Sequence, residues 1–121
     1  MNNIDLSIIF PVFNVEGYLK RALDSILKQS SSIKYEILLI DDGSTDQSGA
    51  ICDEYQDNDS NIFVKHIENN GFSEARNLGI SLSRGKYLYF MDPDDFLTDD
   101  FFEQIYPNLN GKWDVLCFGY N

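Results

Sequence analysis

The stretch YEILLIDDGSTD, residues 35–46, joins an apolar run to an acidic turn that contains glycine. Its apolar residues follow one another directly and do not alternate with polar residues. Such a run is typical of a β-strand that is covered on both faces, as in a parallel sheet. Because Asp41 and Asp42 end the run and Gly43 follows them, the stretch also predicts a polar turn at the carboxyl end of this strand.

Four other apolar runs recur along the chain at nearly even spacing, and each predicts a further strand. They are LSIIFPVF (6–13), NIFVKHI (61–67), KYLYFMD (86–92) and WDVLCFGY (113–120). Amphipathic helical patterns fill the gaps between them. The resulting order, β-α-β-α-β-α-β-(α)-β, predicts an α/β fold. In this fold a mainly parallel sheet lies between helices, as a three-layer α/β/α sandwich with right-handed crossovers.

The predicted helices have candidate start signals in the sequence. Asn14 lies at a suitable N-cap position before the first helix, Ser44 or Thr45 before the second, and Ser73 before the third. A shorter fourth helix is expected over 101–106. The first helix has the strongest amphipathic pattern, with apolar residues at Val15, Tyr18, Leu19, Ala22, Leu23, Ile26 and Leu27.

The length and charge of the chain exclude several classes of protein. Its 121 residues are enough for one domain with one core. Twenty acidic residues against nine basic ones give a net charge of −11. We therefore expect no binding to nucleic acid or to anionic membrane surfaces, which would repel this charge. Cys52 and Cys117 form no C-x-x-C motif and are expected to be reduced, buried thiols.

Targeting signals are not evident in the sequence. It begins MNNIDLS, without the basic and apolar segments of a signal peptide. No apolar run approaches the roughly 18 residues that a transmembrane helix needs. We therefore expect no transmembrane segment in this chain. We also expect a cytoplasmic location, with the inner face of the membrane as the alternative for a full-length protein.

Polar residues follow each of the first four predicted strands, at 11–14, 41–44, 68–71 and 92–95. In an open parallel sheet, ligands bind beyond the carboxyl ends of the strands, near the point where the strand order reverses. These segments are therefore expected to lie together at one edge of the sheet. Two of them are strongly acidic, so the sequence predicts a site that needs a positive partner.

The spacing of Asp92 and Asp94 suggests a divalent cation as this partner. In an extended segment, residues i and i+2 point in the same direction, so both carboxylates could face one ion. Mg²⁺ and Mn²⁺ accept such oxygen ligands and keep positions open for phosphate oxygens. From the spacing alone, capping of the following helix explains these two residues equally well. For Asp95, Asp99 and Asp100 we prefer the capping interpretation.

Four motifs in order resemble those of the family 2 glycosyltransferases, which have the GT-A fold. They are SIIFPVFN-x-x-x-YL, LLIDDGSTD, NNGFSEARNLGI and G-x-YLYFMDPDD, and the similarity extends from about residue 6 to residue 97. The resemblance implies a Rossmann-like nucleotide-binding domain that acts in polysaccharide biosynthesis of the bacterial cell envelope. It also implies a metal-dependent, inverting hexosyl transfer from a nucleotide-diphosphate sugar, UDP- or dTDP-linked, to a glycan or lipid-linked acceptor.

The same resemblance implies roles for the residues around the nucleoside. Pro11 and Phe13 would line the nucleoside pocket, and Glu16 would lie nearby. Asp42 would accept a hydrogen bond from the base, which suits the N–H of uracil or thymine. Considered alone, Asp42 and its neighbour Asp41 are equally compatible with a purely structural turn.

Further residues are implied for the phosphates and the metal. Asn69 and Arg76 would hold the nucleotide and its phosphates, with Arg76 as a charge-assisted donor. Asp92 would contact the ribose or the metal, and Asp94 would be the main metal ligand of the D-x-D motif. Considered alone, Arg76 is equally compatible with an exposed helix residue paired with an acid. His66, a lone histidine at a strand end, is given no role.

Other classes of protein share parts of this pattern. A haloacid-dehalogenase-like phosphoryl-transfer domain would need its D-x-D on the first strand, whereas here it follows the fourth. A receiver domain would need a lone phosphorylatable aspartate two strands later and a lysine near the end. A non-catalytic nucleotide-sugar-binding fragment is compatible with all the motifs. A P-loop NTPase is excluded because the sequence contains no G-x-x-x-x-G-K-[ST].

Members of the family continue past the D-x-D strand into an acceptor-binding part that carries the general base. We therefore expect residues 1–121 to form a single GT-A nucleotide-sugar-binding domain, truncated before that part, with the general base beyond Asn121. Such a chain would bind a donor without efficient transfer, because loss of a general base costs about 10²- to 10⁴-fold in rate.

Overall fold

A computed structural model describes residues 4–30, 32–92 and 95–108 of the chain. The strand predicted over 113–120, together with Cys117, lies outside the described residues, and so does Asp94. Within the described part, no helix has the length and apolar character needed to cross a bilayer.

Strands and helices alternate along the described chain, as the sequence predicts. The strands are β1 (Leu6–Val12), β2 (Tyr35–Asp42), β3 (Ile62–Ile67) and β4 (Tyr87–Phe90). The helices are α1 (Glu16–Leu27), α2 (Ser48–Asn58), α3 (Phe72–Leu82) and α4 (Phe101–Ile105), and a 3₁₀ turn at Tyr106–Asn108 follows α4.

The four described strands form one parallel sheet in the order β3-β2-β1-β4. The chain adds β2 and β3 on one side of β1 and then returns to place β4 on its other side. The strand order therefore reverses at β1, which is where open parallel sheets bind their ligands.

Helices cover both faces of the sheet, which confirms the three-layer α/β/α architecture. On one face, side chains from β1, including Ile8 and Phe10, share a core with α1, α2 and α4. On the other face, Ile9 packs with Leu38 and Leu88, and α3 lies across β1 and β2. Because β1 is covered on both sides, all of its residues are buried. Full burial of one such aliphatic side chain contributes about 1.5–3 kcal/mol to folding.

A glycine allows α3 to approach the sheet closely. A Cβ atom at Gly79 would lie 2.5 Å from Cγ2 of Ile9. No real Cβ contact is that short, so a larger residue at this position would push α3 away from β1. Since α3 follows the β3 loop, this packing also fixes the start of the helix at the sheet edge.

A proline lies inside the central strand without cost to the hydrogen-bond ladder. The register between β1 and β4 ends at the pair Ile9 and Phe90, two residues before Pro11. The backbone amide of Met91 still donates to the carbonyl of Ile9, at 3.0 Å. The missing N–H of Pro11 therefore falls where β4 has already ended, although proline normally avoids central strands.

A buried carboxylate lies near the opposite, amino-terminal edge of the sheet. Glu36 is 0 % exposed and accepts hydrogen bonds from Ser7 Oγ at 2.7 Å, from the Arg84 amide at 2.7 Å and from Arg84 Nε at 3.0 Å. Buried charges are tolerated when they are paired and hydrogen-bonded in this way. This network fastens the segment before β4 to β1 and β2.

The structure corrects the predicted helix starts. The N-cap of α1 is Val15, that of α2 is Gln47 and that of α3 is Gly71, so Asn14, Ser44, Thr45 and Ser73 do not cap helices. The side chains of Asn14 and Ser44 form hydrogen bonds between loops instead, as described below. Ser73 lies inside α3, because Gly71, at φ 96°, is the N-cap and the helix begins at Phe72.

Two burial predictions also need correction. Tyr18 is 51 % exposed, so it does not belong to the core. Phe63 of β3 is 39 % exposed, because β3 is an outer strand of the described sheet and is not covered on both faces along its whole length. Cys52 is a buried free thiol, as predicted.

Candidate functional site

The carboxyl ends of all four described strands lie at one edge of the parallel sheet, as predicted. Side-chain contacts connect the segments that follow these strands, each segment to the next along the edge. The loop after β1 bonds to the loop after β2, β2 bonds to the loop after β3, and α3 contacts the segment after β4. The edge is therefore a connected framework and not a set of independent loops.

The first connection joins the loops that follow β1 and β2. The side-chain oxygen of Asn14 accepts hydrogen bonds from the amides of Thr45 and Asp46, at 2.7 and 3.2 Å. In return, the backbone N–H of Asn14 donates to Ser44 Oγ at 3.1 Å. Asn14 has a positive φ of 51°, which asparagine tolerates better than most residues. The strained backbone is thus held by contacts with the neighbouring loop.

The starts of α1 and α2 satisfy each other's backbone amides. Glu16 Oε1 accepts from the Gln47 amide at 2.8 Å, and Asp46 Oδ2 accepts from the Glu16 amide at 3.2 Å. Asp46 Oδ1 also accepts from the Ser48 amide at 2.8 Å. Slight desolvation raises the pKa of Asp46, but the hydrogen bonds from Ser48 and Glu16 outweigh it and hold the pKa below its usual value. Glu16 therefore has a structural partner at this edge.

The second connection comes from Asp42, the last residue of β2. Its Oδ1 accepts from the Asn70 amide at 2.8 Å, and its Oδ2 accepts from the Gly71 amide at 2.9 Å. The side chain of Asn69 donates to the carbonyl of Asp42 at 3.2 Å. Asp42 is only 1 % exposed. It therefore holds the loop between β3 and α3 in place, a role that could not be predicted from the sequence.

The turn after β2 requires glycine. Gly43 has φ 74°, and a Cβ there would lie 2.8 Å from the backbone nitrogen of Asn69. Both the backbone conformation and the close approach of the next loop exclude a side chain. The turn predicted from the sequence is thus present, and it lets the loops after β2 and β3 pack against each other.

The third connection joins α3 to the end of β4. Arg76 Nη2 lies 4.0 Å from Asp92 Oδ1, and both side chains are about half exposed, at 47 % and 55 %. A contact of this length and exposure adds little stability. It leaves the guanidinium donors and the carboxylate oxygens accessible at the sheet edge, where they could bind a ligand.

The segment after residue 94 is fastened to α1 rather than to the sheet edge. Ser25 Oγ accepts from the Leu97 amide at 2.8 Å. Gln29 donates to the Thr98 carbonyl at 2.6 Å and accepts from the Phe102 amide at 2.9 Å. Polar side chains of α1 and of the residues just after it thus position the chain on both sides of α4's start.

Of the aspartates in this segment for which capping was preferred, only Asp100 lies at a cap position. Asp100 is the N-cap residue of α4, although its carboxylate bonds to the side chains of Gln104 and Thr98 instead of to a helix amide. Asp99 lies 3.6 Å from Lys28 in an exposed ion pair.

His66, for which the sequence predicts no role, has two carboxylate partners. His66 Nδ1 lies 2.7 Å from Asp41 Oδ2, and His66 Nε2 lies 2.8 Å from Asp53 Oδ1. Hydrogen bonds to Asp53 and Asp41 raise the pKa of His66, against a smaller opposite effect of desolvation. The sequence signal was weak, because Asp41 and Asp53 lie 25 and 13 residues from His66 along the chain.

Comparison with known proteins agrees with this architecture. The profile of Glycosyl transferase family 2 matches residues 7–120, nearly the whole chain. The chain belongs to glycosyl transferase family 2. Glycosyltransferase GlyA of Streptococcus pneumoniae serotype 4 is 42 % identical over 104 residues, which cover 86 % of this chain and 15 % of GlyA.

Other relatives share the same region. Glycosyltransferase GlyG of the same bacterium is 39 % identical over 108 residues, covering 88 % of this chain and 36 % of GlyG. The minor teichoic acid biosynthesis protein GgaB of Bacillus subtilis is 40 % identical over 105 residues, covering 85 % of this chain and 12 % of GgaB. The chain thus spans well under half the length of each of these family 2 relatives.

Solved structures of S. aureus TarS have the same fold. A crystal structure of TarS 1–349 superposes with a TM-score of 0.78 and 29 % identity, covering 86 % of this chain and 32 % of TarS 1–349. TarS 1–349 has also been solved in complex with UDP and in complex with UDP-GlcNAc. The match confirms the GT-A type of α/β fold.

The structure brings most of the predicted site residues to one edge of this family 2 domain. The segment with Phe13 follows β1 directly, and Pro11 is buried within β1. The other site residues of the described chain, which are Glu16, Asp42, Asn69, Arg76 and Asp92, belong to the linked loops and helix starts described above. Asp94 lies outside the described residues. Their binding roles stay predictions.

Proposed function

We propose that this chain provides the donor-binding site of a glycosyltransferase that uses a UDP- or dTDP-sugar. The reaction is the transfer of a hexosyl group to a glycan or lipid-linked acceptor. The observation that carries this proposal is the continuous series of contacts from Asp42 through the β3–α3 loop to Arg76 and Asp92. It runs along the sheet edge where the strand order reverses.

The chemistry of this edge suits a nucleoside diphosphate. Arg76 offers charge-assisted donors for phosphate oxygens. A carboxylate has about four acceptor sites, and two amides occupy one on each oxygen of Asp42, so each oxygen keeps a free acceptor site. Because Asp42 is 1 % exposed, the N3–H of uracil or thymine would reach it once the β3–α3 loop shifts to admit the base. The UDP and UDP-GlcNAc complexes of TarS support a uridine nucleotide as the first ligand to test.

A divalent cation is part of the proposal. Among the described residues, which do not include Asp94, no three His, Cys, Asp or Glu side chains are grouped so that they could hold a metal ion. Asp92 nonetheless presents an exposed carboxylate at the end of β4, and carboxylate oxygens suit Mg²⁺ and Mn²⁺. Asp92 and Asp94 would hold the ion, which would offset the charge of the diphosphate.

We further propose that the acceptor is deprotonated by a carboxylate outside the described residues. A general base must lie within hydrogen-bond reach of the acceptor hydroxyl and keep its basicity. Asp42 is buried against two amides, and Asp92 is assigned to the metal. The relationship to GgaB supports a teichoic-acid-like or other envelope polysaccharide as the acceptor class.

Calorimetric titration with UDP-, dTDP- and GDP-sugars in the presence of Mn²⁺ tests the proposed donor. We expect saturable binding of the UDP- or dTDP-sugar and weaker binding of the GDP-sugar. Arg76→Gln should weaken binding by about tenfold, because it removes a charge-assisted hydrogen bond. Lys20→Gln on the exposed side of α1 is the matched control and should have no effect. Equal binding of all three nucleotides would contradict the proposed base recognition.

A further inference from the structure

His66 bridges two carboxylates that belong to different elements. Asp41 is on β2 and is almost buried, with 7 % of its side chain exposed, whereas Asp53 is on α2 and is 56 % exposed. The imidazole, itself 47 % exposed, lies between them with one ring nitrogen on each. The histidine thus fastens the outer strand β3 to β2 and to α2 at the same time.

The surroundings of His66 define which groups can influence it. Asp41 faces it from β2, and Asp53 faces it from α2. The thiol of Cys52 also lies close to both carboxylates, and burial together with these charges raises its pKa to about 12, so it stays neutral. The first turn of α2 closes over the pair, since a Cβ at Gly49 would lie 2.9 Å from Asp41 Oδ2 and 3.6 Å from His66 Cε1.

Asp41 connects this bridge to the candidate donor site. While its Oδ2 contacts His66, its Oδ1 accepts from the Ser44 amide at 3.1 Å. Ser44 Oγ in turn accepts from the amide of Asn14, next to Phe13. The turn that Asp41 closes contains Asp42, whose carboxylate holds the following loop. A change in the position of Asp41 is therefore passed to all three of these loops.

We propose that His66 is a positioning residue of the donor site, which holds Asp41 and, through it, the turn that carries Asp42. This inference rests on the proposed function, because it concerns how the same edge binds the nucleotide sugar. His66 itself is placed on the α2 side of the outer strand and acts through Asp41 rather than by contact with the ligand.

The bridge depends on the charge of the imidazole. Protonated histidine donates from both ring nitrogens, whereas neutral histidine has one donor, and the tautomer protonated at Nε2 leaves Asp41 facing a lone pair. The two hydrogen bonds favour the protonated form. We therefore expect donor affinity to be highest while His66 is protonated and to fall, by about three- to fivefold, as the pH rises through its pKa.

The test is calorimetric titration of the wild-type chain with UDP-GlcNAc in the presence of Mg²⁺ over about pH 5.5 to 9, a range that includes the charge change of histidine. Both phosphates of this ligand are esterified, so it lacks the terminal phosphate ionisation near pH 6 of free nucleotides. In His66→Asn, the amide nitrogen can replace Nδ1 beside Asp41, so affinity should stay high at every pH. In His66→Gln, the amide reaches Asp53 instead, so affinity should be low at every pH.

Circular dichroism will show whether each His66 variant folds. A further variant, Asp53→Asn, keeps the test valid if one of them does not. Asp53→Asn removes the largest cause of the raised pKa and should move the wild-type affinity profile to lower pH. Wild-type affinity that is independent of pH and equal in all folded variants would overturn the role of His66 but not the proposed function. A wild-type chain that binds neither UDP-GlcNAc nor a dTDP-sugar at any pH would overturn the proposed function and this inference with it.

Discussion

Replacement of Asp42 by asparagine tests both the observed and the proposed role of this residue. The carboxylate of Asp42 accepts one amide on each oxygen, from Asn70 and from Gly71. Asparagine has one oxygen and one NH₂ group. One of the two backbone amides, from Asn70 or from Gly71, would therefore face the NH₂ group, which cannot accept its hydrogen bond. Asp42 is 1 % exposed, and water therefore has little room to replace the lost bond.

The magnitude follows from these two contacts. A hydrogen bond to a charged group contributes about 1.5–3 kcal/mol, and an unpaired buried donor costs a similar amount. Because the second bond survives in neutral form, we expect the free energy of unfolding of Asp42→Asn to fall by about 2–3 kcal/mol. Base recognition should change as well, since an amide NH₂ can donate to N3 of cytosine, which the carboxylate repels.

Urea unfolding and competitive binding of UDP and CDP measure the two effects separately. The preference for UDP over CDP should fall by about tenfold in Asp42→Asn. Asp57→Asn, at an exposed position of α2, is the matched control and should change neither quantity. If UDP and CDP affinities fall by the same factor, Asp42 holds the loop but does not read the base. A stability within about 0.5 kcal/mol of wild type would refute the loop-holding role too.

Three further predictions concern packing, pH and the phosphate site. Gly79→Ala should lower the free energy of unfolding by about 1–3 kcal/mol in urea, because its Cβ would collide with β1. Gly17→Ala, whose Cβ meets nothing within 4 Å, should instead raise it by about 0.5–1 kcal/mol; equal effects would contradict the packing account. The raised pKa of His66 should give stability that is fully present below its unfolded pKa and is lost as the pH rises through the folded pKa, by at most about 1 kcal/mol. A thermal melting series in His66→Asn should lack this loss. Arg76→Gln should weaken UDP more than uridine, which has no phosphate, and an equal loss for both would refute the phosphate role.

The sequence predicted the order of elements and the sheet edge because both depend on local patterns. Buried parallel strands need consecutive apolar residues, and the polar residues that follow them are necessarily at the carboxyl edge. Asp92 could therefore be placed at this edge without knowledge of any contact, whereas Arg76, which lies within α3, was assigned to the site only through the family resemblance. The sequence did not reveal that they lie 4.0 Å apart, since their partnership depends on how α3 packs against the sheet.

The features that were missed depend on contacts between distant parts of the chain. Asn14 looked like a helix cap, but its side chain bonds to amides 31 and 32 residues away. Asp42 was assigned to a ligand, but it also holds two amides of the next loop. In both cases the residue type was a correct sign of a polar role, while the partner depended on the tertiary fold.

The central claim, that the carboxyl edge of the sheet binds a nucleotide sugar, is tested most directly by two-dimensional NMR. The amide spectrum of the chain would be recorded during titration with UDP-GlcNAc in the presence of Mg²⁺. We predict saturable shifts at the carboxyl edge, centred on Phe13, Asp42 and Arg76, and unchanged signals from Ser7 and Glu36 near the opposite edge. Shifts centred on Glu36, or no saturable shifts at any ligand concentration, would contradict the account.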